Sequence, residues 1–271
     1  MRTILCRIAV SAALLLVEGT VGAQGANPLK KCPGDAVVSG TVCLDAYEAS
    51  VWRIPDPTTI NKELVKKVQQ GKATAEDLTD GGATQLGVAS DDYAPCADSG
   101  QNCADDIYAV SLPGVTPARF ITWFQAQAAC ENARKRLPSN AEWQAAVIGT
   151  PDPGPDNGTT DCNTASTFTV ADTGSRSSCK SARGAFDMVG NLAEWVADWV
   201  PRSTTPCGTW SAAVSPTGDS QCLAGAATTG EPGALLRGGY FNSGSNAGPL
   251  AANGSIGPSS TFPIVGFRCA R

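Results

Sequence analysis

The chain has 271 residues, with 20 Lys and Arg set against 25 Asp and Glu, giving a net charge of −5 and an isoelectric point of about 4.8. That balance excludes a nucleic-acid backbone as partner, which requires clustered basic side chains; the one short basic run is Arg134-Lys135-Arg136. There is no histidine at all, which removes Ser-His-Asp and Cys-His catalysis, HExxH zinc sites and His-ligated iron together.

In chain order, residues 1–23 read as a secretory signal peptide. Arg2 and Arg7 flank the n-region, Ile8 to Val17 is mostly apolar, and Val21-Gly22-Ala23 offers small residues for cleavage. This apolar run is too short to cross a bilayer core of about 30 Å, and no later run is long and uncharged enough. The expected product is a single domain over residues 24–271, secreted or periplasmic, with no membrane span. Eleven cysteines, less Cys6 in the signal, leave an even set, as expected for disulfides in an oxidising compartment. Spacing alone does not decide their pairing. The reading that closes short Gly-, Pro- or Asp-rich loops joins Cys32 to Cys43, Cys96 to Cys103, Cys162 to Cys179 and Cys207 to Cys222, leaving Cys130 with Cys269.

From Cys32 to Pro55 apolar and polar residues alternate with β-branched enrichment, which predicts one or two strands turning at Ser39-Gly40. Asp45, Tyr47 and Glu48 in this run read as ordinary surface side chains. Thr59 to Gly71 carries Leu64, Val65 and Val68 at helical spacing, and Ala75 to Leu78 adds a short turn; the whole of about 56–110 reads as an insertion. Asp91, Asp92, Asp98, Asp105 and Asp106 surround Cys96 and Cys103 in a stapled surface loop without EF-hand spacing. Thr122 before Gln125, and Ser139 before Glu142, match the capping box. They predict helices over about 123–134, with Phe124, Ala128 and Cys130 on its apolar stripe, and about 140–148, using Trp143 and Val147. From Gly149 to Ala185 turn-forming residues dominate, and a loop this long needs stabilisation from elsewhere. Leu235 to Phe241 and Ile264 to Cys269 predict two buried strands, the first with glycines for close backbone approach.

Between these lies Gly184-Ala185-Phe186-Asp187-Met188-Val189-Gly190-Asn191-Leu192-Ala193-Glu194-Trp195. Two carboxylates around a glycine suit a hard cation, so a calcium-organised loop is expected; a helix capped by Asn191 and carrying Trp195 and Trp199 is the alternative. The run GAFDMVGNLAEWVADW, preceded by RFITWFQAQAACENARKRLPSNAEW and followed by LLRGGY and VGFRCAR, resembles the formylglycine-generating enzyme family, also called the sulfatase-modifying-factor domain. The resemblance implies an irregular α+β fold similar to C-type lectins, and it also suggests the Cys130–Cys269 bridge. It implies a structural calcium held by Asp187, Gly190, Leu192 and Glu194, and places Asn163 where the family has an Asn ligand of a second calcium site. Asp172 is a possible further carboxylate there.

The family's enzymes oxidise a cysteine of a client sulfatase to formylglycine with a copper-binding cysteine pair between the Arg-Gly-Gly and Gly-Phe-Arg-Cys strands. Soft thiolates select Cu(I). Here the interval from Gly239 to Gly266 contains no cysteine, so neither copper nor formylglycine generation is expected. In its place Asn242, Ser243, Ser245 and Asn246 offer donors and acceptors to a peptide, protein or glycan ligand. The expectation is a non-catalytic binding module. The alternatives are a formylglycine-generating oxidoreductase using another pair, such as Cys207 and Cys222, and acid–base chemistry from carboxylates.

Overall fold

The computed structural model describes residues 31–103 and 107–271. The expected signal peptide, Asp105 and Asp106 lie outside the described residues. β1 (Ala36–Ser39) and β2 (Val42–Asp45) form an antiparallel hairpin across Gly40, with Ser39 opposite Val42. β3 (Ala49–Arg53) then leads through two helices, α1 (Lys62–Gln69) and α2 (Ala75–Asp80), to β4 (Thr84–Leu86) and β5 (Ile107–Ser111). These strands make a sheet in the order β4-β3-β5. α3 (Trp123–Asn132) and α4 (Asn140–Ala146) follow, each opened by its capping box at Thr122 and Ser139. A third box, Thr74 with Asp77, opens α2.

After a long run of turns come β6 (Ala193–Val200), β7 (Gly208–Thr209), β8 (Ser220–Cys222), β9 (Gly233–Arg237), β10 (Ala252–Asn253) and β11 (Val265–Phe267). Their sheet has the order β11-β6-β9-β10-β8-β7. β11 runs parallel to β6, so the C-terminal strand docks on the edge of the central one instead of forming a hairpin with it. The architecture is α+β with short, irregular strands.

Three apolar clusters fill the spaces between layers. Val51, Ile107, Ala129, Trp195, Leu236 and Phe267 join the two larger sheets to α3. Trp143, Met188, Val196 and Leu235 lie on the opposite face of the six-stranded sheet with Cys162 and Cys179. Trp52, Leu64, Val68, Leu78 and Tyr108 form the third. Through that last cluster α1 and α2 are packed onto β3 and β5, so the segment read as an insertion is built into the second sheet.

Two readings change in three dimensions. The buried face of α3 is Gln125, Ala126, Ala129 and Cys130, while Phe124 turns outward to meet Trp123 and Trp199 edge-on. The run from Ala193 is a strand, not a helix capped by Asn191. Pairing with β9 on one side and β11 on the other satisfies its backbone groups across the sheet, which local helix preference does not override.

Five disulfides join Cys32 to Cys43, Cys96 to Cys103, Cys130 to Cys269, Cys162 to Cys179 and Cys207 to Cys222. Cys130–Cys269 ties α3 to the C-terminus across 139 residues, and both cysteines are fully buried. Closing so long a loop restricts the unfolded chain most, so Cys130→Ala with Cys269→Ala is expected to lose about 4 kcal/mol of stability. Guanidinium unfolding of the double variant against the parent chain measures this.

Candidate functional site

The central stretch turns a left-handed corner before entering β6. Gly190 has φ +73° and Asn191 φ +55°, and a Cβ on Gly190 would come within 2.3 Å of the Asn163 carbonyl oxygen, so only glycine fits there. Asn191 is 1 % exposed and works as a junction. Its Nδ2 donates to the Glu48 carboxylate and to the Ala171 carbonyl at 3.1 Å. Its Oδ1 accepts from Asn163 Nδ2 at 3.1 Å and from the Ala171 amide at 2.8 Å. The Leu192 amide adds a second donor to Glu48, at 3.0 Å.

Glu194 follows on β6 and is buried. Arg268 Nε lies 2.9 and 2.8 Å from its two carboxylate oxygens, and Nη2 lies 2.6 Å from Oε1. Trp143 Nε1 donates to Oε2 at 2.7 Å. Asp187, at φ +57°, accepts from the Gly174 amide at 2.7 Å. Burial pushes the Asp187 carboxyl up to about 7. Burial, with repulsion from Asp187 and Glu194, holds Glu48 well above the usual carboxylate range. Arg268 is raised in spite of its own burial, because Glu194 lies against it.

The calcium expectation meets this geometry directly. Three N–H groups already point at the two Glu194 oxygens, with the single Arg268 Nε–H shared between them, and the guanidinium neutralises the carboxylate. Asp187 faces a backbone amide, and amide hydrogens aimed at a carboxylate repel a cation placed beside it. Asn163 is occupied too, donating to Thr169 O at 2.9 Å and accepting from Thr167 Oγ1 at 2.8 Å. Asp172 lies at the surface and accepts from Thr116. Among the described residues no three Cys, Asp or Glu side chains converge as a metal-ligand group. A calcium ion held by Asp187, Gly190, Leu192 and Glu194, or by Asn163, does not fit this arrangement of donors.

Reading the residues one by one missed two buried acids. Asp45 and Glu48, taken for surface side chains, are 1 % and 0 % exposed. Asp45 accepts from Lys135 Nζ at 2.7 Å, and Lys135 also reaches Asp35 at 2.8 Å. The available signal was the flanking sequence: both acids stand among Val42, Leu44, Ala49 and Val51 in an apolar strand region, where an isolated charge is costly unless paired.

The second feature is a cavity of about 130 Å³ between β6, β9, β10 and the segment leading into β11. Ala193, Leu236, Tyr240, Ile256, Ile264 and Val265 make its apolar wall, and Ser220, Ser243 and Asn253 add polar groups. Of the four polar residues expected to meet a ligand, Ser243 lines this cavity. Its hydroxyl also accepts from the Tyr240 amide at 3.0 Å, which shapes the loop. Asn242, Ser245 and Asn246 are exposed nearby, outside the lining. Cys207 and Cys222, the alternative reactive pair, are bonded to each other.

The sulfatase-modifying factor enzyme 1-like domain model matches residues 61–271, and the chain belongs to that family. Its interval from Gly239 to Gly266 holds no cysteine. Its five disulfides fit an extracellular or periplasmic setting, and among the described residues no helix is long and apolar enough to cross a membrane. No curated protein matches the chain. Among solved structures it is similar to a Major Tropism Determinant I1 variant, with 20% identity over 90% of this chain and 54% of the other and a TM-score of 0.48. It is also similar to PvdO from Pseudomonas aeruginosa, with 18% identity over 87% of this chain and 82% of the other and a TM-score of 0.41. The chain thus spans about half the length of the Major Tropism Determinant structures.

Asn191→Ala would remove one of the two donors to Glu48, free the Ala171 N–H and C=O of their side-chain partner, and leave Asn163 Nδ2 with Thr169 O alone. The expected loss is about 3 kcal/mol in urea unfolding, beyond the range of an ordinary surface substitution.

Proposed function

We propose that the chain is an exported, non-catalytic binding module whose cavity receives one apolar side chain of a peptide or protein ligand. The observation that carries this reading is the cavity itself, in the region where the resemblance places the enzymes' cysteines. It is walled by aliphatic side chains and the Tyr240 and Phe262 rings, with polar groups from Ser220, Arg237, Ser243 and Asn253. A volume near 130 Å³ suits a leucine- or phenylalanine-sized group; an engineered apolar cavity of about 150 Å³ stays dry and binds benzene. Such pockets bind by desolvating one anchor while a few polar groups orient the rest of the ligand. Asn242, Ser245 and Asn246, exposed next to the cavity, are placed to meet a ligand backbone. Export rests on the signal-like residues 1–23 and on the disulfide set.

Ala193→Leu would fill the cavity from β6. Screening the mature chain against a library of linear peptides should yield binders with an apolar anchor, and this substitution should weaken them at least tenfold while the melting temperature changes little. Equal binding by the variant, or no peptide binder at all, counts against the reading.

The oxidoreductase alternative makes a separate demand. The mature chain incubated with copper and a cysteine-containing sulfatase-type peptide is expected to produce no aldehyde by mass spectrometry, because its ten described cysteines are all joined in pairs and a disulfide offers no thiolate. Aldehyde formation would reinstate the enzyme.

A further inference from the structure

The oxygens around Arg268 are of the kinds a hard divalent ion takes. Both carboxylate oxygens of Glu194 are joined by two backbone carbonyls, Asp45 O at 3.1 Å from Nη1 and Phe186 O at 2.8 Å from Nη2. A two-oxygen carboxylate grip completed by carbonyls is the usual surrounding of calcium, yet here a guanidinium stands at its centre with no exposed surface. Every one of the three buried acids of this region also faces N–H donors. Glu194 has Trp143, Glu48 has Asn191 and Leu192, and Asp187 has Gly174. Donors in those positions would oppose a metal ion beside the three acids, and the cation in contact with Glu194 is the guanidinium.

We propose that Arg268 is the resident cation of this scaffold, and that the central stretch holds its shape with no divalent metal. The fork of Arg268 joins β6, the end of β2 and the turn at Phe186, which is the joining task calcium would otherwise perform. A planar group with five fixed donors, more weakly hydrated than an ammonium, meets four separate oxygens. The module therefore keeps its shape where calcium is scarce or chelated, and this holds whether or not the cavity binds a peptide.

The test uses the mature chain. After dialysis against excess EDTA its melting temperature is expected to stay unchanged, and added calcium is expected to move it no further. Terbium, a calcium mimic whose emission is excited by nearby tryptophan, is expected to give no saturable signal that Glu194→Gln abolishes, although Trp143 lies against Glu194. Arg268→Lys keeps the charge and loses the fork, and should lower the melting temperature by about 10 °C without recovery in calcium. A fall in melting temperature on chelation that calcium reverses, or terbium emission lost in Glu194→Gln, would overturn the inference. Should Arg268→Lys not fold, the two measurements on the parent chain still decide it.

Discussion

Two charges taken out of water, Arg268 and Glu194, sit at the point where the rest of this molecule is tied together. Removing such a pair from solvent is expensive, and it is tolerated only where the geometry is close and the remaining hydrogen-bonding capacity is met. Here the guanidinium meets the carboxylate and two carbonyls, and Trp143 completes the carboxylate. The result is directional. Apolar packing alone tolerates sliding of one strand past another, whereas a forked donor fixes β11 against β6 and against the end of β2 in one register.

That fixed point matters because so much of the chain has little regular structure to hold it. The run from Gly149 to Ala185 is turns and loops joined by one isolated bridge, Lys180 with Phe186. It is kept in place by Cys162–Cys179, by Asp156 accepting the amides of Gly158, Thr164, Ala165 and Ser166, and by Asn191. Those amides, with the Ser166 hydroxyl, hold the Asp156 carboxyl far below its ordinary range in spite of partial burial. Each device replaces the ladder hydrogen bonds that a helix or sheet would have supplied. The second ionic group, Lys135 between Asp35 and Asp45, does the same for the N-terminal hairpin.

The cavity is the complement of this rigidity. Around it the chain is rich in small residues, Ala251, Ala252, Gly239 and Ser243 among them, which leave room beside Leu236 and Ile264. Gly239 itself is held close to Ala247, where a Cβ would approach within 2.7 Å. The space is therefore framed by backbone that has no freedom to collapse into it, which is the property a preorganised binding pocket requires.

What the sequence determined by itself is everything that depends on neighbours along the chain. The boxes at Thr122 and Ser139 marked two helix starts because capping is settled within four residues. Family membership was legible in GAFDMVGNLAEWVADW and VGFRCAR, and the empty interval between Gly239 and Gly266 needed only counting. Tertiary structure alone decided the character of Ala193–Val200, a stretch compatible with helix or strand until β9 and β11 paired with it. It also decided what Asp187 and Glu194 face. Carboxylates at that spacing look like cation ligands in one dimension, and what they meet is set in space: Glu194 meets Arg268, 74 residues away, and Asp187 meets the Gly174 amide, because electrostatics acts through space and not along the chain.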